Sequence, residues 1–242
     1  MRYLITILFY ISIQTFSFAA PLKDFTVSYG LYYNEMYVGQ TTRNLVTENN
    51  NINFSSTAKT DGIAAWFFDI TLAETSKLHY KNNQLNFFSY SYNEKKNDEH
   101  KGYTLRLDKT NTFYNSHTKK HYPVADNLQD TLGFTVAIMH DMQNGKREIT
   151  YTLAEKKELK TYTLKFITKE NIATNDGQIA TFKMEHYNPQ TKERFTLWCA
   201  EKMGFLPVRI LSINRKGNEN LLNLTQFNQK KFFLDFPEEE ID

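Results

Sequence analysis

The stretch Phe25-Thr-Val-Ser-Tyr-Gly-Leu-Tyr-Tyr33 carries large apolar side chains at every second position. Successive side chains of a β-strand point to opposite faces of its sheet, so this period places one apolar row on one face. Asn34 and Glu35 would then turn the chain, and residues 36–46 would continue as a second strand. The segment therefore predicts a β-hairpin.

The same alternation of apolar and polar residues returns along most of the chain. Asparagine and glycine stand between the alternating runs, and both reach the backbone conformations of tight turns at low cost. Short connections favour an antiparallel meander, and curling would hide edges that could otherwise pair with other chains. We therefore predict a mainly β fold, an antiparallel meander curled into a barrel or half barrel. The predicted strands, about twelve in number, are residues 25–33, 36–46, 52–58, 70–80, 84–93, 102–107, 147–153, 160–167, 178–187, 194–200, 207–214 and 221–226.

Two segments interrupt the alternation. Residues 62–68 are too apolar for a plain surface loop, and the pair Ala64-Ala65 indicates a short helical turn there. Beyond Asp126, which could cap a helix, apolar residues recur at spacings of four, four and three. We predict one main helix over about 127–142, which could either plug one opening of the sheet or separate two subdomains.

The two ends of the chain differ from its centre. Residues 1–20 combine a charged start, an uncharged apolar run and small residues before a cut after Ala19, the layout of a secretory signal peptide. The run of about 16 apolar residues is short for the ~20 that a bilayer span needs, although an uncleaved anchor is the competing interpretation. We expect a signal peptide over 1–19, one β-rich domain over 20–230 and a fraying acidic tail over 231–242. No cysteine stands directly after the cut, so we expect no lipid anchor there. After cleavage we also expect no transmembrane span.

The charge distribution argues against a nucleic-acid partner, and the cysteine count excludes an internal disulfide. The chain has 29 Lys and Arg against 27 Asp and Glu, and basic residues alternate with acidic ones along every segment. A nucleic-acid binder needs a concentrated basic surface, so we expect no nucleic-acid partner. Cys199 is the only cysteine and cannot form an internal disulfide. Its neighbours indicate a strand in which it is a small buried apolar residue.

The chain shows no standard catalytic signature. It has no G-x-S-x-G elbow, no phosphate-binding glycine loop and no H-E-x-x-H motif. His117 and His121 would share a face only on a helix, whereas their aromatic flanks indicate extended chain, in which they stand roughly 13 Å apart. We therefore expect a protein that is not an enzyme, with no catalytic residue, no metal site and no cofactor.

Four residues form the predicted ligand-binding site. Three consecutive aromatic rings make the densest aromatic cluster, which could plug an end of the core, cover an apolar cavity as a flap, or touch lipid. An inward carboxylate in the middle of a strand is costly unless it is paired, and Arg43 or Arg209 could pair it unless both face outward. The four residues are Trp66, Phe67, Phe68 and Glu74.

Three stretches, taken in order, resemble the bacterial family catalogued as domain of unknown function 3108. They are Phe25 to Gly39, Gly62 to Phe68 with Thr71 to Ser76, and Thr196 to Ala200 with Gly204 to Ile210. Their order and spacing match across nearly the whole mature chain, including the helix after Asp126. The departures are Glu35, where such proteins often have glycine, and Cys199, where leucine is commoner. The resemblance implies an exported, β-rich protein of Gram-negative bacteria and supplies no activity or active site.

Two functions from different classes follow. A curled sheet with one helix is similar in shape to the periplasmic lipoprotein carriers, so the first hypothesis is a periplasmic protein that binds or carries an apolar or amphiphilic, lipid-like ligand inside the curved sheet. The second is a structural or assembly factor of the cell envelope that binds another envelope protein through a sheet edge or the acidic tail. A core with no cavity of ligand size would contradict the first hypothesis, and an unpaired edge strand would favour the second.

Overall fold

A computed structural model describes residues 22–174 and 177–229, so the predicted signal peptide and acidic tail lie outside the described residues. The described part holds fifteen strands, two α-helices and one 3₁₀ turn at Glu201–Met203. The helices are α1 (Ala64–Phe67) and α2 (Gly133–Gln143). The strands are β1 (Phe25–Tyr33), β2 (Met36–Glu48), β3 (Asn51–Thr60), β4 (Ile70–Lys81), β5 (Gln84–Lys96), β6 (Glu99–Leu107), β7 (Thr112–Asn115), β8 (Lys120–Pro123), β9 (Leu128–Asp130), β10 (Glu148–Ala154), β11 (Leu159–Thr174), β12 (Gly177–Tyr187), β13 (Arg194–Ala200), β14 (Leu206–Ile213) and β15 (Glu219–Gln229).

All fifteen strands belong to one sheet, in the order β8-β7-β6-β5-β4-β3-β2-β1-β15-β14-β13-β12-β11-β10-β9. Neighbouring strands are antiparallel except β9 and β10, which run parallel. The predicted meander is confirmed, and the twelve predicted strands are all present. The sheet is not closed, because β8 and β9 end it without pairing to each other.

The two ends of the sheet nevertheless approach each other. The Gln129 side chain of β9 donates a hydrogen bond of 2.7 Å to the Leu85 carbonyl of β5. The Asn115 amide of β7 donates one of 3.1 Å to the carbonyl of Lys156, beyond the end of β10. These contacts join strands that are distant in the sheet order, so the sheet is curled as a half barrel would be.

Helix α2 begins at Gly133, later than the predicted start at about 127. Residues 128–130 instead pair with β10 as the short strand β9. Asp126 does not cap the helix. The Asp130 carboxylate accepts hydrogen bonds from the backbone N–H groups of Leu132 (2.9 Å) and Gly133 (2.7 Å). The predicted helix is present, but it starts later than expected, and the aspartate that accepts hydrogen bonds at its start is Asp130 and not Asp126.

Helix α2 lies inside the curled sheet and is buried on both faces. Leu132, Val136 and Met139, at helical spacing, belong to the core cluster that holds residues of β1–β6 together with residues of β13–β15. Phe134, Ile138 and Met142, on the opposite face, pack against β10–β14. A helix that is apolar all round is one enclosed by protein. The helix therefore fills the interior of one continuous sheet and does not separate two subdomains.

Within the described residues, neither helix is long and apolar enough to cross a lipid bilayer.

Candidate functional site

The three predicted aromatic residues project into solvent. Trp66 is 88% exposed, Phe67 71% and Phe68 51%, so the interpretation that they plug an end of the core is wrong. Their segment is anchored at its base, because the Thr60 hydroxyl donates hydrogen bonds to the carbonyls of Phe68 (2.7 Å) and Ile70 (3.4 Å). The backbone is held while the rings remain uncovered.

A second exposed group lies beside this segment at the β1–β2 turn. The Tyr37 hydroxyl donates a hydrogen bond of 2.9 Å to the Asp61 carboxylate, and the Asp61 N–H donates to the Val38 carbonyl. These bonds join the turn to the chain leading into α1. We call the joined surface the aromatic rim. Its exposed members are Tyr33, Met36, Tyr37, Ile63, Trp66, Phe67 and Phe68.

The rim is open to solvent and has charges of both signs beside it. An open cleft of about 880 Å³ runs beside it and is lined by Lys59, Asp61, Trp66 and Asp69 among others. The Lys96 ammonium lies 5.1 Å from the centre of the Phe68 ring. The most exposed ring, that of Trp66, lines this open cleft and is not enclosed by it. The surface is therefore suited to a broad apolar or interfacial partner more than to a small enclosed ligand.

Glu74 lies elsewhere, inside the curled sheet. It is half-buried and stands directly opposite Ser56, which is 4% exposed. The Tyr90 hydroxyl donates a hydrogen bond of 2.5 Å to its carboxylate, and the Thr131 hydroxyl donates to Tyr90 over 3.2 Å. Burial, followed by the nearby Glu74 charge, raises the pKa of Tyr90 far above its ordinary value.

Neither arginine expected to neutralise Glu74 does so. Among the described residues no Lys, Arg or His nitrogen lies within 4.0 Å of its carboxylate. Arg209 donates to the Asn223 side chain (2.8 Å) and its guanidinium lies 5.7 Å from the Trp198 ring centre. Glu74 is also distant from the aromatic rim. It lies four residues along β4 from Ile70, the first residue of that strand, which is a separation of roughly 13 Å. The structure does not bring the four predicted residues together.

Glu74 belongs to a polar row on the concave face. Residues directly paired across antiparallel strands point to the same face, and Arg43, Ser56, Glu74 and Tyr92 are paired in turn across β2, β3, β4 and β5. The neighbouring row, Phe25, Leu45 and Phe54, is apolar and buried. We call the polar row, extended by two further residues, the interior polar band. Its members are Thr41, Arg43, Ser56, Glu74, Tyr90 and Tyr92.

Sequence reasoning missed most of this band. Ser, Thr and Tyr alternate along these strands with the same period as the apolar residues, so the pattern alone does not separate a polar interior from a polar exterior. One signal was available in the sequence. Several positions that alternate in step with the inward-facing residues carry no aliphatic side chain, as at Thr41, Arg43 and Ser56.

Asp130 is the most deeply buried carboxylate in this region. It is 0% exposed, and besides the two backbone N–H groups of α2 it accepts a hydrogen bond of 2.6 Å from the Ser76 hydroxyl. Burial raises its pKa to about 6, against the opposing effect of these hydrogen bonds. The residue joins β4 to the start of the helix, a structural role.

A polar cleft of about 390 Å³ opens on β11–β14. Its charged side chains pair with one another: Arg215 contacts Glu193 at 3.3 Å, and Lys160 contacts Glu158 at 3.4 Å. His186 accepts from or donates to the backbone of Thr163. The cleft leaves no charged group without a partner among these residues.

The remaining sequence candidates occupy ordinary positions. His121 lies 2.9 Å from the Asp108 carboxylate and His117 beside the Tyr103 ring, so the two histidines face different partners. In the part of the chain that the structure describes, no three His, Cys, Asp or Glu residues stand where they could hold one metal ion.

A comparison with models of protein families shows which family the chain belongs to. The family model of proteins of unknown function, DUF3108, matches residues 24–222. The chain belongs to this family. Within the DUF3108 fold, Glu35 takes a φ of 67°, a left-handed conformation that favours glycine, which explains the glycine expected there. Cys199 is fully buried, as predicted, and burial raises its pKa well above the ordinary value.

One solved structure supports a β-barrel-like fold for the chain and nothing more specific. A β-barrel-like protein of the DUF1849 family from Brucella abortus is similar to the chain with a TM-score of 0.55 at 9% identity. The match covers 87% of this chain and 99% of that one. A DUF1089 family protein from Pseudomonas aeruginosa matches at 11% identity over 72% of this chain and 88% of its own, with a TM-score of 0.37. No curated protein sequence matches the chain.

Proposed function

We propose that this protein binds lipid amphiphiles through the aromatic rim and works at a membrane surface of the bacterial envelope, on the periplasmic side. The observation that carries the proposal is the exposure of Trp66 (88%), Phe67 (71%) and Phe68 (51%) on a segment whose backbone is anchored. Contiguous exposed aromatic residues on a folded protein mark a binding surface. No catalytic step is part of the proposal.

Interfacial lipid suits this surface better than a small ligand. Tryptophan and tyrosine favour the headgroup region of a bilayer, where a ring is buried and its polar edge stays hydrated. Burying these rings would contribute on the order of several kcal/mol. The near-neutral charge of +2 supplies little attraction to anionic lipid, so apolar contact has to dominate.

A carrier that encloses its ligand inside the sheet has less support. Helix α2 presents buried side chains to both halves of the sheet, and the large rings of Phe54 and Phe113 are also fully buried there. Space that a carried acyl chain would need is filled by protein in the described part. The lipid-like ligand of the proposal is therefore placed at the rim, outside the core.

Binding of an envelope protein by an added strand is also weakly supported. The end strand β8 has four residues, includes Pro123 and begins with Lys120, features that discourage pairing with another strand. The opposite end strand, β9, is fully buried. The acidic tail lies outside the described residues, so a role for it stays a prediction.

Flotation with lipid vesicles tests the proposal. The mature protein is mixed with vesicles of phosphatidylethanolamine and phosphatidylglycerol, and the bound fraction is compared with that of the double variant Trp66→Ala, Phe67→Ala. We expect binding to fall by at least about tenfold, since two rings lose their burial. Phe88→Ala is the matched control, because Phe88 is 54% exposed but lies outside the rim.

Either of two results would count against lipid binding. One is a wild-type protein that stays at the bottom of the gradient with these vesicles. The other is an equal loss of binding in Phe88→Ala and in the double variant, which would make the contact nonspecific.

A further inference from the structure

Arg43 carries a charge that the fold leaves without an ion pair. It stands on β2 between Thr41 and Leu45, which are 2% and 0% exposed, so it shares their inward face. Its Nε and Nη1 atoms are buried and have no hydrogen-bond partner. Among the described residues no carboxylate lies within 4.0 Å of it. Buried donors without acceptors are costly, and a buried unpaired charge is more so.

The guanidinium is nevertheless held in one place. It lies 5.5 Å from the centre of the Tyr29 ring, which is fully buried. Tyr29 is itself fixed, because its hydroxyl donates a hydrogen bond of 2.9 Å to the Pro207 carbonyl. The Tyr29 ring therefore lies beside the guanidinium and attracts its charge, but it does not supply the hydrogen-bond acceptor that Nε and Nη1 lack. Arg43 is half-buried, so part of its side chain still reaches accessible space.

Glu74 is the matching anion in the same row. Arg43 is paired with Ser56, and Ser56 with Glu74, so the two charged residues are separated by two strand spacings, roughly 10 Å between Cα atoms. Both side chains are long enough to meet across that gap, yet they do not. Glu74 holds one neutral partner, the Tyr90 hydroxyl. Opposite charges thus stand on the same face of the sheet, both half-buried, without neutralising each other.

The residues between the two charges are polar but already occupied. The Thr41 hydroxyl donates to the Thr57 carbonyl (3.2 Å), which leaves Ser56 to donate to Thr41 over 3.1 Å. These hydroxyls lie between the two charges without supplying an ion pair to either of them. Arg43 and Glu74 therefore remain available for counter-charges that come from outside the sheet.

We propose that the interior polar band binds a small zwitterionic group, with its anionic part on Arg43 and its cationic part on Glu74. A simple anion would meet repulsion from Glu74, and a simple cation would meet repulsion from Arg43. A group that carries both charges satisfies both ends. The chemistry is shared by free amino-phosphates and by zwitterionic lipid headgroups. This site is distinct from the aromatic rim and does not depend on it.

Calorimetric titration with free phosphoethanolamine tests the site on the mature protein. We expect binding to weaken by about tenfold or more in Arg43→Gln and in Glu74→Gln, because each variant removes one charge-assisted contact. Inorganic phosphate and ethanolamine, which each carry one half of the probe, should bind more weakly than phosphoethanolamine. The matched control is Arg209→Gln, whose guanidinium is already bonded to Asn223, and it should bind as the wild type does.

A stability measurement separates a binding role from a structural one. Removing an unpaired buried charge relieves a cost, so Arg43→Met should unfold at the same or a higher urea concentration than the wild type while losing the probe. Arg43→Lys keeps the charge and should keep part of the binding. Loss of stability in Arg43→Met with unchanged affinity for the probe would overturn the proposal.

A dispersed lipid identifies the source of the group without involving a membrane surface. Binding of a short-chain phosphatidylethanolamine, kept below the concentration at which it forms micelles, that is lost in Arg43→Gln would assign a lipid headgroup, whereas binding of free phosphoethanolamine alone would assign a soluble molecule. If neither form binds, or if inorganic phosphate binds as tightly as phosphoethanolamine, the zwitterion site does not exist. None of these results depends on the rim binding lipid.

Discussion

Asp130 links the helix to the sheet at an electrostatic cost. Its carboxylate is fully buried, and its pKa of about 6 exceeds the ordinary value chiefly because of that burial. The unfolded chain should titrate near 3.9. The folded protein therefore binds the proton more tightly, so this group favours folding most below about pH 4. Its contribution is lost as the pH rises through about 6.

Asp130→Asn should remove this pH dependence. The new amide can accept from the helix N–H groups and donate to Ser76, so the helix start is kept. Between pH 4 and pH 7 the free energy of unfolding of the wild type should fall by about 2 kcal/mol relative to the variant. Urea unfolding at several pH values measures both. Carboxylates with a lowered pKa, such as Asp141, are common to the two proteins and cancel. Parallel pH profiles would contradict the assignment.

Single residues also show where sequence reasoning ended. Glu74 was recognised as an inward carboxylate, but its partner Tyr90 lies 16 positions away and its contact depends on the register of β4 and β5. The exposure of Trp66 was equally undecided, because an aromatic run fits a core and a binding surface alike. Both answers depend on tertiary packing, to which a local pattern does not respond.

Helix α2 begins against β4 with no room for a larger residue. A Cβ added at Gly133 would lie 2.4 Å from the Ser76 hydroxyl and 2.9 Å from the Asp130 carboxylate. Glycine to alanine normally favours a helix by about 1 kcal/mol. Here we expect the opposite sign.

Gly133→Ala should therefore destabilise the protein by roughly 1 to 3 kcal/mol, the range for overpacking. Urea unfolding measures the change. The comparison is Gly145→Ala, whose φ of 80° brings backbone strain but whose Cβ would meet no atom within 4 Å. A Gly133→Ala protein that is as stable as the wild type would show that the helix start is loosely packed.

The elements that sequence predicted best are the long strands. Alternation over nine residues or more, as in β1, indicates a strand because one face must be buried. The short strands β7, β8 and β9 are not predicted from the sequence, because three or four residues are too few to show a period. The start of α2 is predicted too early for the same reason. Residues 128–130 fit the first turn of a helix in the sequence pattern, whereas in the structure they form β9.

The whole molecule is one sheet because its first and last strands meet. β15 pairs with β1 on one side and with β14 on the other, so among the described residues it supplies the only strand pairing that joins the β1–β8 half to the β9–β14 half. The meander was predictable from turns and alternation. This closing pair was not, since it joins residues about 200 positions apart in the chain.

A chain that ends at residue 218 should fail to fold. Removing β15 exposes an edge on both β1 and β14 and leaves Tyr29 and the neighbouring core residues uncovered. We expect rapid proteolysis and loss of the cooperative urea transition. A chain that ends at residue 230, the predicted limit of the domain, is the control and should behave as the full chain does. Cooperative unfolding of the shorter chain would show that the two halves fold independently.

The central claim is that the aromatic rim enters a lipid surface, and the fluorescence of Trp66 reports it directly. The chain has two tryptophans, so Trp198→Phe leaves Trp66 as the only one. With vesicles that carry brominated acyl chains, we expect its emission to shift to shorter wavelength and to be quenched most by bromines near the headgroup boundary. Emission that stays at the wavelength of a water-exposed indole, unquenched at every bromine position, would contradict the account.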